Sequence, residues 1–354
     1  MKRVSMQDVA TAAGVSRMAV SYALRDDPQI ALETRQRIVA LAERMGYRPD
    51  PLIQRLSAHL AGARRSPHVG CIGYITCERS KDDWRNIPPY LTAFNASVKR
   101  AEQLGYRLEE FWLGERGMTG AKLSRILVHR GIPGIIVAPI PAGAKPLGLK
   151  WAEFAGAALG YSMLKPPLHR AVNHQLNTAL EAIRQLVLLG YQRIGLCVTR
   201  DQNRRVNHAW EHAVLFHHAR VARSRQVKPY IEEALSPADV LRWFEAEKPD
   251  CLLVQHPLIR DLLQEAGYRV PEHVGLVMLD RNPRAEHEFA GMNQRHDAVG
   301  AAGVDIVVAQ IHRNERGLPS APRTVMIDGI WEPGLTVRKQ SPAGKRPVGA
   351  AIAG

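Results

Sequence analysis

Four cysteines in 354 residues, 6% aromatics and fewer acidic than basic side chains are the main scarcities of this chain. Cys71, Cys77, Cys197 and Cys251 each sit in or beside an apolar, strand-like run. They form no CxxC pair and have no Cys/His ligand spacing, which argues against zinc. Reduced thiols in a cytosolic protein are the expectation. No apolar run approaches the roughly 20 residues of a membrane span. The polar, helix-forming N-terminus is not that of a secretory signal, so a soluble cytoplasmic protein is expected. Also missing are a GxSxG elbow, a P-loop, HExxH and a GxGxxG following a strand, so neither enzymatic activity nor a cofactor is expected. The acidic deficit, 34 Asp/Glu against 48 Lys/Arg, leaves a formal charge of +14 and favours a polyanionic partner. Met1–Arg65 holds 11 Lys/Arg against 6 Asp/Glu, so most of the excess lies elsewhere.

What is present begins with Ser5–Leu24, SMQDVATAAGVSRMAVSYAL, which reads as two short helices and a tight turn. Ser5 caps the first, with Asp8 as its reciprocal partner. Val9, Ala10 and Ala13 recur at helical spacing, and Gly14 supplies the positive φ that ends the helix. Ser16 caps the second helix, whose apolar stripe is Val20, Ala23 and Leu24. The unit is a helix-turn-helix, the arrangement that places a second helix in the DNA major groove. An ordinary αα-hairpin is the competing reading. A third helix, Glu33–Met45, brings Ile38, Leu41, Ala42 and Met45 to the same core. Asp50 and Pro51 start a short amphipathic helix, and Gly62–Pro67 is a linker. From Val69 onward strands alternate with helices in two successive blocks, including a helix predicted over Val206–Val221 and a strand over Thr324–Ile330. Near-continuous apolar strands mean parallel sheets covered on both faces. After Arg338 the tail has no periodicity, and disorder is expected.

This order resembles the lac-repressor (LacI/GalR) family of bacterial transcriptional regulators. MQDVATAAGVS is close to the family's "ikDVAklAGVS", and ETRQRIVALAERMGYRPD to "eTReRVlkAaeeLGYrPN". Further along, Leu189–Ile194 is similar to "LGHrrIa", Gly275–Asp280 to the "GfDd" strand, and Asn293-Gln294 with Gly300 to "vxQp…lG". The resemblance implies an N-terminal all-α helix-turn-helix headpiece (1–49), a hinge helix and linker (50–68), and an α/β core (69–338). That core is periplasmic-binding-protein-like, with two subdomains, parallel sheets and a chain that crosses between them; a disordered tail (339–354) follows. It also implies a homodimer on a pseudo-palindromic double-stranded operator, working in the cytoplasm at the nucleoid with no membrane partner. A small, sugar-like effector in the core cleft would tune operator affinity.

Residue by residue, the resemblance assigns DNA contacts to Ser5, Ser16, Arg17, Met18, Ser21, Tyr22 and Leu56. Arg17 suits a guanine edge and Met18 a thymine methyl. Ser16 and Ser21 suit phosphates, and Leu56 a wedge into a central base step. The competing roles are a solvated charge for Arg17, headpiece packing for Tyr22 and dimer packing for Leu56. The family's "SxaTVSR" is SRMAVSY here, so the docking mode carries over but the operator sequence does not. Ile53 replaces a small residue of the hinge helix. Ala31 replaces the usual Ser cap of the third helix, a loss of roughly 1 kcal/mol. For the effector, the carboxyl ends of the strands are the place to look. The expected contacts are Asp280, Arg205 and Trp210, with Trp84 and Arg85 on the opposite wall. His208, His212, His217 and His218 read as the polar face of one helix. Three rivals stand beside this reading: an enzyme, a transport-type binding protein of the same core fold, and a constitutive DNA binder whose core only dimerises.

Overall fold

The computed structural model describes residues 6–24, 30–45, 47, 69–141, 143–163, 165–282 and 288–340. These fall into two compact units, Met1–Val69 and Gly70–Gly354.

Among its described residues the first unit has three helices: α1 (Met6–Ala13), α2 (Arg17–Ala23) and α3 (Leu32–Arg44). Its core is the set expected from helical spacing, with Val9, Ala10, Ala13, Val20, Ala23, Ile38 and Ala42 all buried. Gly14 takes φ +67°, which lets the chain turn between α1 and α2 without a Cβ penalty. The Ser16 hydroxyl accepts from the Ala19 amide at 3.1 Å, capping α2. Ala31 precedes α3 without a side-chain cap. Ser5, Gly46, the segment 50–68 that includes Ile53 and Leu56, and the tail beyond Gln340 lie outside the described residues.

The second unit is two α/β lobes. In the first, strands β1 (Gly70–Thr76), β2 (Tyr106–Trp112), β3 (Gly134–Val137), β4 (Ala155–Leu159), β5 (His169–Asn173) and β11 (Thr324–Ile327) form one sheet in the order β11-β5-β4-β3-β1-β2. All its pairings are parallel. In the second, β6 (Ile194–Thr199), β7 (Tyr230–Glu232), β8 (Cys251–Val254), β9 (Gly275–Met278), β10 (Ala290–Asn293) and β12 (Ile330–Glu332) run in the order β12-β10-β9-β8-β6-β7. Only β12 is antiparallel there. Each sheet has a core cluster on both faces, which is why its strands read as unbroken apolar runs.

Helices α4 (Pro88–Gln103) and α5 (Gly120–His129) belong to the first lobe. The second carries α6 (Gln175–Leu189), α7 (Arg200–Arg205), α8 (Ala209–His218), α9 (Pro237–Glu247) and α10 (Leu258–Glu265). The last helix, α11 (His296–Arg313), returns to the first lobe, where Val299, Val304, Val307 and Val308 join its core. A Cβ on Gly300 would collide with the Ala93 carbonyl of α4, so glycine there lets the two helices touch. Ser97 fills the contact, its hydroxyl 2.8 Å from the Ala93 carbonyl and 3.0 Å from that of Gly300. The chain therefore passes between lobes three times: from β5 to α6, from β10 to α11 and from β11 to β12.

The structure corrects several expectations. The helix predicted over Val206–Val221 forms only as α8, Ala209–His218, because Asn207 and His208 take φ +55° and +60° and keep it from starting earlier. An upstream capping box at Thr199 and Gln202 instead starts α7 directly after β6. Thr324–Ile330 is not one strand but parts of two, in different sheets, since the third crossing interrupts it. Three short strands, β5, β7 and β10, have no counterpart in the sequence reading. The histidines do not share one polar face. His218 is 8% exposed, whereas Leu215 and Phe216 beside it are each 48% exposed. The first two residues after Arg338 are not disordered: the Gln340 amide donates to the Leu189 carbonyl at 2.7 Å. All four cysteines are free thiols, Cys197 and Cys251 buried, Cys71 and Cys77 half-buried.

Candidate DNA-reading helix and interlobe site

Two sites emerge, one in each unit. On α2, burial of Val20 and Ala23 fixes which face turns outward. Arg17 and Ser16 are exposed, Met18 is 63% exposed, and Ser21 and Tyr22 are half-buried. With its oxygen accepting from Ala19, the Ser16 hydroxyl keeps its proton to donate outward. The sequence-predicted contacts within the described residues thus fall on one accessible face of the second helix, a cation, a thioether, hydroxyls and a phenol. Ser5 and Leu56 lie outside the described residues.

The second site forms where the carboxyl ends of the two sheets face each other. Arg205, at the end of α7, belongs to the second lobe, but its guanidinium donates to groups of the first. One bond goes to the Tyr90 hydroxyl on α4, the other to the Ile140 carbonyl beyond β3 at 3.4 Å. The left-handed turn at Asn207–His208 ends α7 here. Asn203 braces that turn, its side-chain amide reaching Glu211 at 2.8 Å and the His208 ring at 3.2 Å. Asp280, just beyond β9, is 2.9 Å from Nε2 of His296, the first residue of α11. Burial disfavours a charged His296, but the Asp280 charge and hydrogen bond, helped by Asp297, outweigh it and raise its pKa. Burial pushes the Tyr90 phenol up; Arg205 opposes this, while Glu78 and Asp280 add to it. Burial also raises Glu78, with Arg205 opposing and Asp83 adding. Glu78, Tyr90, Arg205, Asp280 and His296 are therefore one electrostatic neighbourhood drawn from both lobes.

A polar hinge lies beneath. The Asn173 amide donates to the Gln294 carbonyl at 2.5 Å, tying the first crossing to the second. The Gln294 amide reaches Gln175 at 3.1 Å and the Leu279 carbonyl at 2.6 Å. At the third crossing, Asp328 accepts from Asn177 at 2.9 Å and meets His174 at 2.8 Å, while the Gly329 amide donates to Thr178 at 3.1 Å.

Arg205 and Asp280 thus stand at the lobe junction, as expected. The two tryptophans do not. Trp210 is 2% exposed in the second lobe's core, its indole N–H donating to Gln175 at 2.9 Å. Trp84 is 2% exposed, stacked edge-on against Phe94 and donating to Glu110 at 2.9 Å. Arg85 lies 4.2 Å over the Trp84 ring and is ion-paired at 2.5 Å to both Asp82 and Glu110. Both indoles bury apolar area, a large driving force, while each N–H finds an acceptor. Their place is in the cores, not on a wall open to a ligand. Sequence reasoning missed Tyr90, Glu78 and His296. The only signal was His296's position two residues after Gln294, which lies in a motif already singled out. Among the described residues no group of His, Cys, Asp or Glu could hold a metal ion, and no helix is long and apolar enough to cross a membrane.

Comparison with known proteins bears on both sites. Residues 5–50 match the model of the bacterial regulatory proteins of the lacI family. The HTH-type transcriptional regulator reg1 of Streptomyces lividans is 27% identical over 203 residues, covering 54% of this chain and 53% of that protein. The regulator IdnR of Escherichia coli K12 is 44% identical over 48 residues, 14% of each chain. The chain thus spans about half the length of the first of these curated relatives and far less of the second. Among solved structures, the transcriptional regulator CelR in complex with cellobiose is 17% identical with a TM-score of 0.57, covering 94% of this chain and 100% of that one. The lac repressor dimer bound to operator and the anti-inducer ONPF is also 17% identical, with a TM-score of 0.54 and coverage of 95% and 100%. A LacI family regulator from Enterococcus faecium with bound ribose is 13% identical, with a TM-score of 0.54 and coverage of 77% and 100%. These structural likenesses concern the fold.

Proposed function

Taking as premise that this chain belongs to the lacI family of bacterial regulatory proteins, we propose that it is a site-specific DNA-binding transcriptional repressor whose grip is set by a small, sugar-like effector at the lobe junction. The observation that carries the DNA reading is α2: capped by Ser16, packed through Val20 and Ala23, and presenting Arg17, Met18, Ser21 and Tyr22 outward. In this reading Arg17 donates to a guanine edge and Met18 meets a thymine methyl. Ser5, Ser16 and Ser21 hold phosphates. Two copies dock on a pseudo-palindrome, with Leu56 at the central step. Support comes from the lac repressor dimer on its operator, whose fold this chain shares. For the effector, Arg205 and Asp280 are the recognising groups, and the cellobiose and ribose complexes support a carbohydrate. One observation favours a second reading, a constitutive dimeric DNA binder: the groups that would take an effector are already hydrogen-bonded within the chain.

The test is a mobility shift of full-length protein on genomic fragments across a salt titration. Retention of one fragment over random duplex at physiological salt is expected. Arg17→Ala should cost that fragment about 1–3 kcal/mol while leaving random duplex unchanged. Equal affinity for every fragment, or equal weakening of all, would refute base readout by α2.

A further inference from the structure

We propose that Tyr90 and His296 are internal stand-ins for a ligand: they occupy Arg205 and Asp280 and so form a two-point latch between the lobes. What this means for an effector rests on the reading above; the latch itself does not. Arg205 is the more telling half. A half-buried guanidinium usually finds a carboxylate, yet among the described residues Arg205 makes no ion pair. Its acceptors are a hydroxyl and a carbonyl, both neutral and both on the opposite lobe. A hydroxylated ligand would present the same kind of acceptor. Asp280 is satisfied in a similar way, by a residue that opens the helix returning to the other lobe. The Arg205 contact joins one lobe to the other and the Asp280–His296 contact sits at the 293–296 crossing, so a change in lobe angle that parts Arg205 from Tyr90 has to break the first and works against the second. A ligand that takes Arg205 and Asp280 must therefore displace Tyr90 and His296, and the strength of these internal bonds subtracts from its affinity. Tyr90 and His296 thereby become threshold-setting residues.

Hydrogen exchange of the full chain, read peptide by peptide and without DNA or added ligand, tests the latch directly. Tyr90→Phe keeps the ring and removes only the acceptor. It should speed exchange roughly tenfold, the effect expected of one lost hydrogen bond, in peptides covering 200–210 and the crossings at 173–175, 293–296 and 327–330. Arg205→Gln should produce the same acceleration in 88–92 and 134–140, on the lobe it does not belong to. The double variant should exchange no faster than Arg205→Gln alone, because that change already removes the Tyr90 contact along with the one to Ile140. Acceleration confined to the substituted residue's own lobe, additive effects, or no change at all would overturn the proposal. A failed operator assay would leave these results standing, so the two readings fail separately.

Discussion

The residues the three-helix unit offers to a partner are those its own core leaves over, whereas the two-lobed body has already used the residues it was expected to offer. Arg17 and Met18 project from α2 while Val20 and Ala23 face inward. In the body, Trp84 and Trp210 are core residues, Arg85 is ion-paired, and Arg205 and Asp280 bridge the lobes. A minimal core buries little and leaves most side chains outside, so helical spacing alone tells contact from packing. A large core takes in most aromatics whatever their loop position, so sequence spacing cannot tell a wall from an interior.

The strongest way to break this comparison is to attack the smaller core. Val20→Asp places a carboxylate among six other buried apolar residues. The cost should be about 3–5 kcal/mol, enough to unfold a unit this small. Sequence-selective DNA binding should vanish while the main thermal transition of the body stays put. A shift of both transitions together would show that the two units do not fold independently.

In the larger core, Trp210→Ala removes an indole that is 2% exposed and leaves the Gln175 carbonyl with the Gln294 amide alone of its two donors. A loss of about 3–5 kcal/mol is expected. Trp210→Phe should cost only about 1 kcal/mol, the share of the hydrogen bond. If Trp210 instead lined an open site, the alanine variant would melt like the parent, so calorimetry of the two variants decides between core and wall.

A smaller effect comes from His296. Its folded pKa is raised above the ordinary 6.5, so the stability it contributes is fully present below that value. That contribution is lost as pH rises through the higher folded value. His217 and His218 act in the opposite sense: burial lowers their pKa values, and they destabilise the fold on acidification. The signature is therefore a difference. Comparing parent with Asp280→Asn, the parent's advantage in melting temperature should be largest near pH 6 and shrink above pH 7. An advantage independent of pH would mean that the pair is not ionic.

How much was legible beforehand follows the same division. The turn glycine, the Ser16 cap and the headpiece core could be read from spacing, because helix signals are local. The bounds of α3, Leu32–Arg44, lie within one residue of the predicted Glu33–Met45 for the same reason. Edge and hinge strands were not legible. β7 has three residues and β12 three, too short for any period, and β10 owes its pairing to β9 and β12 far along the chain. The break at Asn207–His208 was hidden because two left-handed non-glycine residues in succession are costly. They are held by the Asn203 contacts, which a one-dimensional pattern does not contain. Arg205, which the resemblance pointed to, reaches the other lobe from the last position of α7, just before that break.

The finest test compares one cap with another. Ser16 caps α2 with its hydroxyl, whereas Ala31 stands at the start of α3 with no side-chain bond. Ser16→Ala should therefore cost about 1 kcal/mol of headpiece stability, and Ala31→Ser should restore a similar amount. The two changes differ in what they do to DNA binding. Ser16 is on the exposed side of the turn, with a proton still to donate. Its loss should weaken all duplexes alike and flatten the salt dependence only slightly, because a neutral donor displaces no counterion. Ala31→Ser should stabilise the headpiece without altering affinity at low temperature, where nearly every molecule is already folded. If Ser16→Ala lowered affinity no further than the loss of stability accounts for, Ser16 would be a cap and nothing more. The phosphate contact would then pass to Ser21.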